Sequence, residues 1–194
     1  MIKVAILGYG TVGSGVVEVL TTNAGIIAKR AGQEVGVKYV LDLRDFPGDP
    51  IQSKVVHDFQ IILDDPEVDI VVETMGGTKP AYEFVKKALL AGKSVCTSNK
   101  ELVAAYGAEL VHLAKSKSVN FLFEASVGGG IPVIRPLNQS LTADKILKIN
   151  GILNGTTNYI LTKMAKEGSD FDVVLKEAQE LGLSLIHISE PTRL

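Results

Sequence analysis

The first fifteen residues constrain the fold more than any other segment of the chain. A short apolar run, Ile2–Leu7, leads directly into the glycine pattern GYGTVG at Gly8–Gly13. Such a run suits a buried parallel strand, and the three glycines then permit a tight turn, close approach of a pyrophosphate, and close packing of the next helix. The helix start would attract phosphate through its free N–H groups. The segment predicts a nucleotide site, with a plain turn as the alternative.

Strand and helix signals then alternate through the first two thirds of the chain. The first helix is predicted to run to about Arg30. Short strands rich in β-branched residues, separated by helices, predict an α/β fold with a Rossmann-type, doubly wound parallel sheet covered on both faces. The further predicted elements are strands Val35–Leu41, Asp69–Glu73, Ser94–Thr97 and Val119–Phe123, a helix after Thr78, and a helix Glu101–Ser116.

From about residue 130 the pattern changes. A helix is predicted up to Ser140, and Lys145–Leu153 alternates like a strand with one wet face. Two more helices follow, the second ending at Gly182. We therefore predict a dinucleotide-binding domain over residues 1–130 and the start of an α+β substrate and dimerisation domain over 131–183.

Composition excludes several classes of function. The net charge of −2 and the absence of a basic cluster argue against nucleic acid as a partner. No apolar run has the length to cross a bilayer and no signal peptide is recognisable, so no membrane role is expected. A single cysteine, Cys96, excludes an internal disulfide and fits the cytoplasm. The three histidines share no metal-ligand spacing and are assigned no role.

The end of the second strand bears on the choice of cofactor. An acid at such a position usually holds the ribose hydroxyls of NAD, whereas an arginine nearby accommodates the extra phosphate of NADP. Asp42 and Arg44 are both present, and either alone also fits a solvated loop. The sequence therefore leaves NAD and NADP open.

Two later strand ends carry further candidate ligand contacts. Gly76, in the pair that follows Asp69–Glu73, would let the backbone approach a ligand, although a tight turn explains it equally well. Lys100, after Ser94–Thr97, has the position to orient a substrate oxygen or to contact the nicotinamide ribose. Glu124 and the glycine-rich loop after it offer hard oxygen ligands for a monovalent cation, while the loop taken alone favours a hinge.

Six segments of the chain form one ordered set: GYGTVGSG at Gly8–Gly15, VVETMGG at Val71–Gly77, TSNKELVA at Thr97–Ala104, FEASVGGGIPVI at Phe123–Ile134, GILNGTTNYIL at Gly151–Leu161 and KEAQELG at Lys176–Gly182. Together they resemble homoserine dehydrogenases from residue 1 to about residue 183. The last three motifs are more specific than the glycine loop. The resemblance implies reversible NAD(P)-dependent reduction of aspartate 4-semialdehyde to homoserine, on the route to threonine, methionine and isoleucine.

The resemblance also implies roles for individual residues. Lys100 would contact both cofactor and substrate, and Glu124 with the carbonyl oxygens of Val127, Gly129 and Ile131 would hold Na⁺ or K⁺ at a hinge. The longer protein would be a homodimer. With Arg44 and Gly76, which the strand-end positions suggest, the candidate cofactor-binding residues are Gly8, Tyr9, Gly10, Thr11, Val12, Gly13, Arg44, Gly76, Lys100 and Gly182.

The resemblance ends after Gly182. The family continues with Ala-Glu-Ala-Asp-Pro and, later, an aspartate and a lysine near the reacting carbon, but Leu185 stands where the substrate-binding glutamate belongs. Residues 184–194 are therefore interpreted as a non-native tail, from a cloning junction or a frame error. These 194 residues are expected to bind NAD(P) with little turnover of homoserine. The alternatives are a non-catalytic NAD(P)-binding module and another small-aldehyde or amino-acid dehydrogenase of this fold.

Overall fold

The computed structural model describes residues 1–151 and 155–181, and the chain divides into two units, Met1–Thr142 and Ala143–Leu194. The first unit is built on a six-stranded sheet in which every pairing is parallel. The strands are β1 (Ile2–Leu7), β2 (Val35–Leu41), β3 (Val55–Val56), β4 (Ile70–Glu73), β5 (Ser94–Thr97) and β6 (Phe121–Leu122).

The strands lie in the order β3-β2-β1-β4-β5-β6. This is the order of dinucleotide-binding sheets, in which the connections reverse direction at the junction of β1 with β4. Ligands bind in the crevice outside the carboxyl ends of the strands at that junction. The predicted doubly wound parallel sheet is confirmed, and all six strands end at the same edge.

Helices connect the strands of this first unit. The predicted helix from the glycine loop to Arg30 is in fact two helices, bent by 78° at Asn23. Asn23 lies outside helical geometry (φ −100°, ψ 17°), which breaks the regular ladder. The helices are α1 (Thr11–Thr22), α2 (Ala24–Ala31), α3 (Phe59–Asp64), α4 (Ala81–Leu90), α5 (Lys100–Ser116) and α6 (Glu124–Val127), with a 3₁₀ turn at Pro50–Lys54 and a π-helical turn at Pro136–Ser140.

Both faces of the sheet are buried, as β1 illustrates. Its alternate residues Val4 and Ile6 pack on one face with residues of α1, and Ala5 and Leu7 pack on the other with α3, α4 and α5. Each fully buried aliphatic side chain contributes about 1.5–3 kcal/mol to the free energy of unfolding. The continuous apolar run of β1 thus reflects burial on two faces.

The second unit contains two further helices, α7 (Gly155–Glu167) and α8 (Phe171–Glu180). They pack through Ile160, Val174 and Ala178, and Lys163 Nζ bonds Glu177 at 2.6 Å. The predicted strand Lys145–Leu153 is wrong over its described part, because residues 145–151 form neither helix nor strand and are exposed. An alternating pattern needs a neighbouring strand to pair with, and the described part of this unit offers helices alone.

Among the described residues, no single helix has the length and hydropathy to cross a membrane. The helices α1 and α2 meet that criterion only when taken together across their bend.

Candidate functional site

Three glycines of the loop after β1 have different structural tasks. Gly8 has a backbone φ of +96°, a conformation that residues with a side chain rarely adopt. A Cβ atom added at Gly13 would lie 1.9 Å from the carbonyl oxygen of Gly8, so only glycine lets α1 begin this close to β1. A Cβ atom added at Gly10 would meet nothing within 4 Å. The space beside Gly10 is therefore free for a ligand rather than for packing.

Thr74, the first residue after β4, connects that strand to the glycine loop. Its hydroxyl lies 3.0 Å from the carbonyl oxygens of both Leu7 and Gly8, and its N–H donates to Leu7. These bonds tie the ends of β1 and β4 together at the crevice. Sequence reasoning did not single out Thr74, because its role depends on the register that pairs Leu7 with Glu73.

Asp42, which follows β2, directs its carboxylate at the glycine loop and at Arg44. One oxygen accepts from the Tyr9 N–H at 2.8 Å and from Arg44 Nη2 at 3.0 Å, and the other accepts from the N–H and Nε of Arg44, both at 3.0 Å. The Arg44 side chain holds the pKa of Asp42 well below its ordinary value. These four bonds use the lone pairs of both oxygens. Asp42 therefore anchors the loop and orients Arg44.

Arg44 is held in place with one side open. Its Nη2 also donates to the Tyr9 carbonyl oxygen at 3.1 Å, and its guanidinium carbon lies 5.1 Å from the centre of the Phe46 ring. The side chain is nevertheless 62% exposed. Within the described part of the chain these bonds use Nε and Nη2, which leaves the two N–H groups of Nη1 to meet an anion.

A cavity of about 430 Å³ opens beside this pair. Apolar walls with a cationic rim suit the adenosine half of a dinucleotide. The walls include Gly8, Asp42, Arg44, His57, Phe59 and Met75.

His57 is a residue of this cavity to which the sequence analysis assigned no role. Its Nδ1 lies 2.7 Å from the Asp42 carbonyl oxygen and its Nε2 lies 3.2 Å from the Asp45 carboxylate. The backbone bond to Asp42, followed by the charge of Asp45, raises the pKa of His57 above its ordinary value. Both ring nitrogens face acceptors, which favours the imidazolium form. No sequence signal could reveal this, since the partners come from other segments.

The predicted residues Gly76 and Lys100 lie at the same edge of the sheet. Gly76 is in the loop after β4, and Lys100 is the exposed first residue of α5. Asn99 caps this helix, because its side-chain oxygen accepts the Leu102 N–H at 3.0 Å. Parallel strands bring these residues to the edge that carries Gly8–Gly13 and Arg44. Gly182, by contrast, lies outside the described residues.

Glu124, at the start of α6, binds backbone N–H groups. Its carboxylate accepts from Val133, from Ile134 at 2.9 Å and from Arg135 at 2.8 Å. The N–H of Val133 contributes most to holding the pKa of Glu124 below its ordinary value. Three of its four lone pairs are thereby used. The described residues contain no group of three or more His, Cys, Asp or Glu side chains that could hold a metal.

Two family models match the chain. The model described as the NAD-binding domain of homoserine dehydrogenase matches residues 8–124, and the model described as homoserine dehydrogenase matches residues 132–185. The homoserine dehydrogenase of Bacillus subtilis is 44% identical over 190 residues, which are 94% of this chain and 43% of that protein. That of Synechocystis sp. is 45% identical over 184 residues, 93% of this chain and 42% of that protein. The chain thus spans less than half the length of these relatives.

Solved structures agree with these matches. A homoserine dehydrogenase from Thiobacillus denitrificans superposes with a TM-score of 0.88 at 45% identity, covering 95% of this chain and 43% of that one. A mutant of a hyperthermophilic archaeal homoserine dehydrogenase in complex with NADPH superposes with a TM-score of 0.79 at 30% identity, covering 96% of this chain and 63% of that one.

Proposed function

Because this chain belongs to the homoserine dehydrogenase family, we propose that it is the cofactor-binding part of an enzyme that interconverts L-homoserine and L-aspartate 4-semialdehyde. The observation that carries the proposal is the glycine loop over the β1–β4 junction, with open space at Gly10 and a helix start behind it. We assign residues 1–130 to the cofactor domain and 131–183 to the start of the substrate domain.

We further propose that the cofactor is NADP(H) rather than NAD(H). All lone pairs of Asp42 are engaged, so this carboxylate is poorly placed to accept ribose hydroxyls. Arg44 offers a fixed, exposed guanidinium beside the cavity, which suits the 2′-phosphate. The NADPH complex of the archaeal relative is consistent with this choice.

The reaction assigns distinct tasks to the residues of this chain. NADP(H), when bound, supplies or accepts the hydride. The N–H groups of the Gly8–Gly13 loop bind the pyrophosphate. Within that segment, Thr11 and Val12 form the first turn of α1 and line the cofactor. Lys100, exposed at the start of α5, contacts the cofactor and orients the substrate oxygen on which negative charge develops. Gly76 lets the backbone of its loop approach the nicotinamide.

A monovalent cation, a homodimer and a cytoplasmic location complete the proposal. Glu124 remains charged and keeps one lone pair on the oxygen bound by Arg135, which fits Na⁺ or K⁺ together with the carbonyl oxygens of Val127, Gly129 and Ile131. The longer protein would assemble as a homodimer. The single cysteine, Cys96, is free and accords with a reducing compartment.

Titration of the chain with NADPH and NADH, followed by nicotinamide fluorescence, tests the cofactor assignment. We expect tighter binding of NADPH. The Arg44→Ala variant should bind NADPH about ten- to a hundredfold more weakly, because a charge-assisted bond to a phosphate contributes about 1.5–3 kcal/mol. Its affinity for NADH should not fall. Equal losses for both dinucleotides, or a wild-type chain that binds neither, would contradict the assignment.

The affinity for NADPH should also depend on the protonation of His57. Below its raised pKa the imidazolium adds a positive charge beside Arg44, so the affinity should fall as the pH rises through that pKa. An exposed pair of this kind is worth about a two- to fivefold change. The measurement compares the affinity of wild type with that of His57→Gln from pH 6 to 8.5. The 2′-phosphate gains negative charge over this range and strengthens binding in both proteins, so the difference between the two profiles isolates the effect of His57. Identical profiles would exclude His57 from the site.

A further inference from the structure

Three buried polar residues lie beneath the loop that follows β4. Glu73 is 0% exposed, Thr97 is 1% exposed and Asn99 is 7% exposed. The Glu73 carboxylate accepts from the Thr97 hydroxyl and from the Met75 N–H at 2.8 Å. The Thr97 hydroxyl oxygen in turn accepts from the Asn99 N–H at 2.9 Å. The side-chain nitrogen of Asn99 also donates to the Glu73 carboxylate at 3.4 Å, so the three residues form one connected cluster.

Asn99 links this cluster to two backbone segments at once. Its side-chain nitrogen donates to the carbonyl oxygens of Gly77 at 2.6 Å and Met75 at 3.2 Å. Its side-chain oxygen accepts the Leu102 N–H, which fixes the first turn of α5. A single side chain thus holds the Met75–Gly77 loop against the helix that begins with Lys100.

The cluster occupies one particular half of the ligand crevice. A dinucleotide lies across the junction of β1 with β4, and Arg44 and the cavity after β2 mark the adenosine side. The opposite half of the ligand then lies over the ends of β4 and β5. Those ends carry Gly76, Gly77 and Lys100, whereas Met75, the first residue of the loop, also lines the cavity on the adenosine side.

Stability of the fold alone does not require a buried polar cluster at this position. An apolar side chain would fill the space without the desolvation that a buried carboxylate pays, and that desolvation raises the pKa of Glu73. A cap for α5 needs only a short oxygen acceptor, which serine also supplies. The part of Asn99 that a cap does not explain is its amide nitrogen, which is used on the loop.

We propose that Asn99, held by Thr97 and Glu73, is a positioning residue that sets the Met75–Gly77 loop and Lys100 for the nicotinamide half of the cofactor. This inference rests on the proposed function, since it presupposes a dinucleotide in the crevice. Asn99 acts through the loop and through Lys100, and it is not itself a contact of the ligand.

The test compares two ligands on the Asn99→Ser variant. Serine retains the cap of α5 but is too short to reach the carbonyl oxygens of Met75 and Gly77. We expect NADPH to bind about tenfold more weakly, as the loss of two loop bonds implies. Binding of 2′,5′-ADP, which occupies only the adenosine side, should weaken less than binding of NADPH, because of the three loop residues it is Met75 that lines that cavity. Thr97→Val removes the hydroxyl that joins Glu73 to the Asn99 N–H, but it leaves the 3.4 Å bond from the Asn99 side-chain nitrogen to Glu73. This variant should therefore also weaken NADPH binding, by less than Asn99→Ser does.

Matched controls separate positioning from general damage. Asn120→Ser makes the same substitution at an exposed position before β6, at the opposite edge of the sheet. It should leave the affinities for NADPH and for 2′,5′-ADP unchanged. Equal weakening of NADPH and 2′,5′-ADP in Asn99→Ser would reduce the cluster to a structural role and overturn the inference. Unchanged NADPH binding in both cluster variants would also overturn it while leaving the proposed function intact. A wild-type chain that binds no NADPH would overturn the proposed function itself.

Discussion

Gly13→Ala is expected to destabilise the chain more than any other single methyl addition to the glycine loop. The new Cβ atom would lie 1.9 Å from the Gly8 carbonyl oxygen and 3.0 Å from both the Gly8 carbonyl carbon and the Thr74 hydroxyl. Two of these three atoms belong to the backbone, so relief requires moving α1 away from β1. Such overpacking costs about 3 kcal/mol or more, which lowers Tm by roughly 6–12 °C in a chain of this size. Thermal unfolding followed by circular dichroism measures it.

Gly15→Ala is the matched control, because it lies in the same helix with nothing within 4 Å of the added atom. Gly15 is half-buried, and replacing a helical glycine that has free space around it by alanine stabilises by roughly 0.5–1 kcal/mol. The two variants should therefore shift Tm in opposite directions. A Gly13→Ala chain as stable as wild type would show that the helix start is not packed as described.

Gly10→Val should lose cofactor binding and retain the stability of the fold, unlike Gly13→Ala, which should lose stability. Gly10 has φ −88° and ψ −161°, an extended conformation that valine adopts readily, and its Cβ atom would meet nothing within 4 Å. That open space is where the pyrophosphate must approach the loop N–H groups. Loss of two charge-assisted bonds, at about 1.5–3 kcal/mol each, implies at least about a hundredfold weaker binding of NADPH.

The measurement for Gly10→Val pairs a fluorescence titration with a melting curve. Tm should stay within about 2 °C of wild type, since no packing contact changes. Gly15→Ala serves again as the control that binds normally. Undiminished NADPH affinity in Gly10→Val would place the phosphates elsewhere and would remove the main support for the proposed function.

The elements that sequence predicted well are those whose pattern reflects burial on both faces of the sheet. Ile2–Leu7 and Val35–Leu41 were predicted with the bounds that the structure gives, because continuous apolar runs of this length fit few other environments. The short pieces at Val55–Val56 and Phe59–Asp64 carry too little pattern to be recognised. The break at Asn23 was missed because an amphipathic pattern continues across it.

The candidate site divides in a similar way. Gly8–Gly13, Arg44 and Lys100 were identifiable because they directly follow predicted strands, and parallel strands end at a common edge. Thr74, His57 and Asn99 were not, because their partners come from segments far away in sequence. The predicted strand Lys145–Leu153 is wrong over its described residues, 145–151, for a related reason, since alternation of side chains does not supply a strand to pair with.

The pairing of Asp42 with Arg44 bears on how cofactor choice evolves. Two of the four bonds that occupy the carboxylate come from the Arg44 side chain, so losing that side chain also returns two acceptor positions to an acid already located at the end of β2. Under the proposed cofactor assignment, the residue that would recognise NAD is thus present but masked by the residue that would recognise NADP. One substitution at Arg44 would then change the cofactor preference from NADP to NAD, without an intermediate that binds neither dinucleotide.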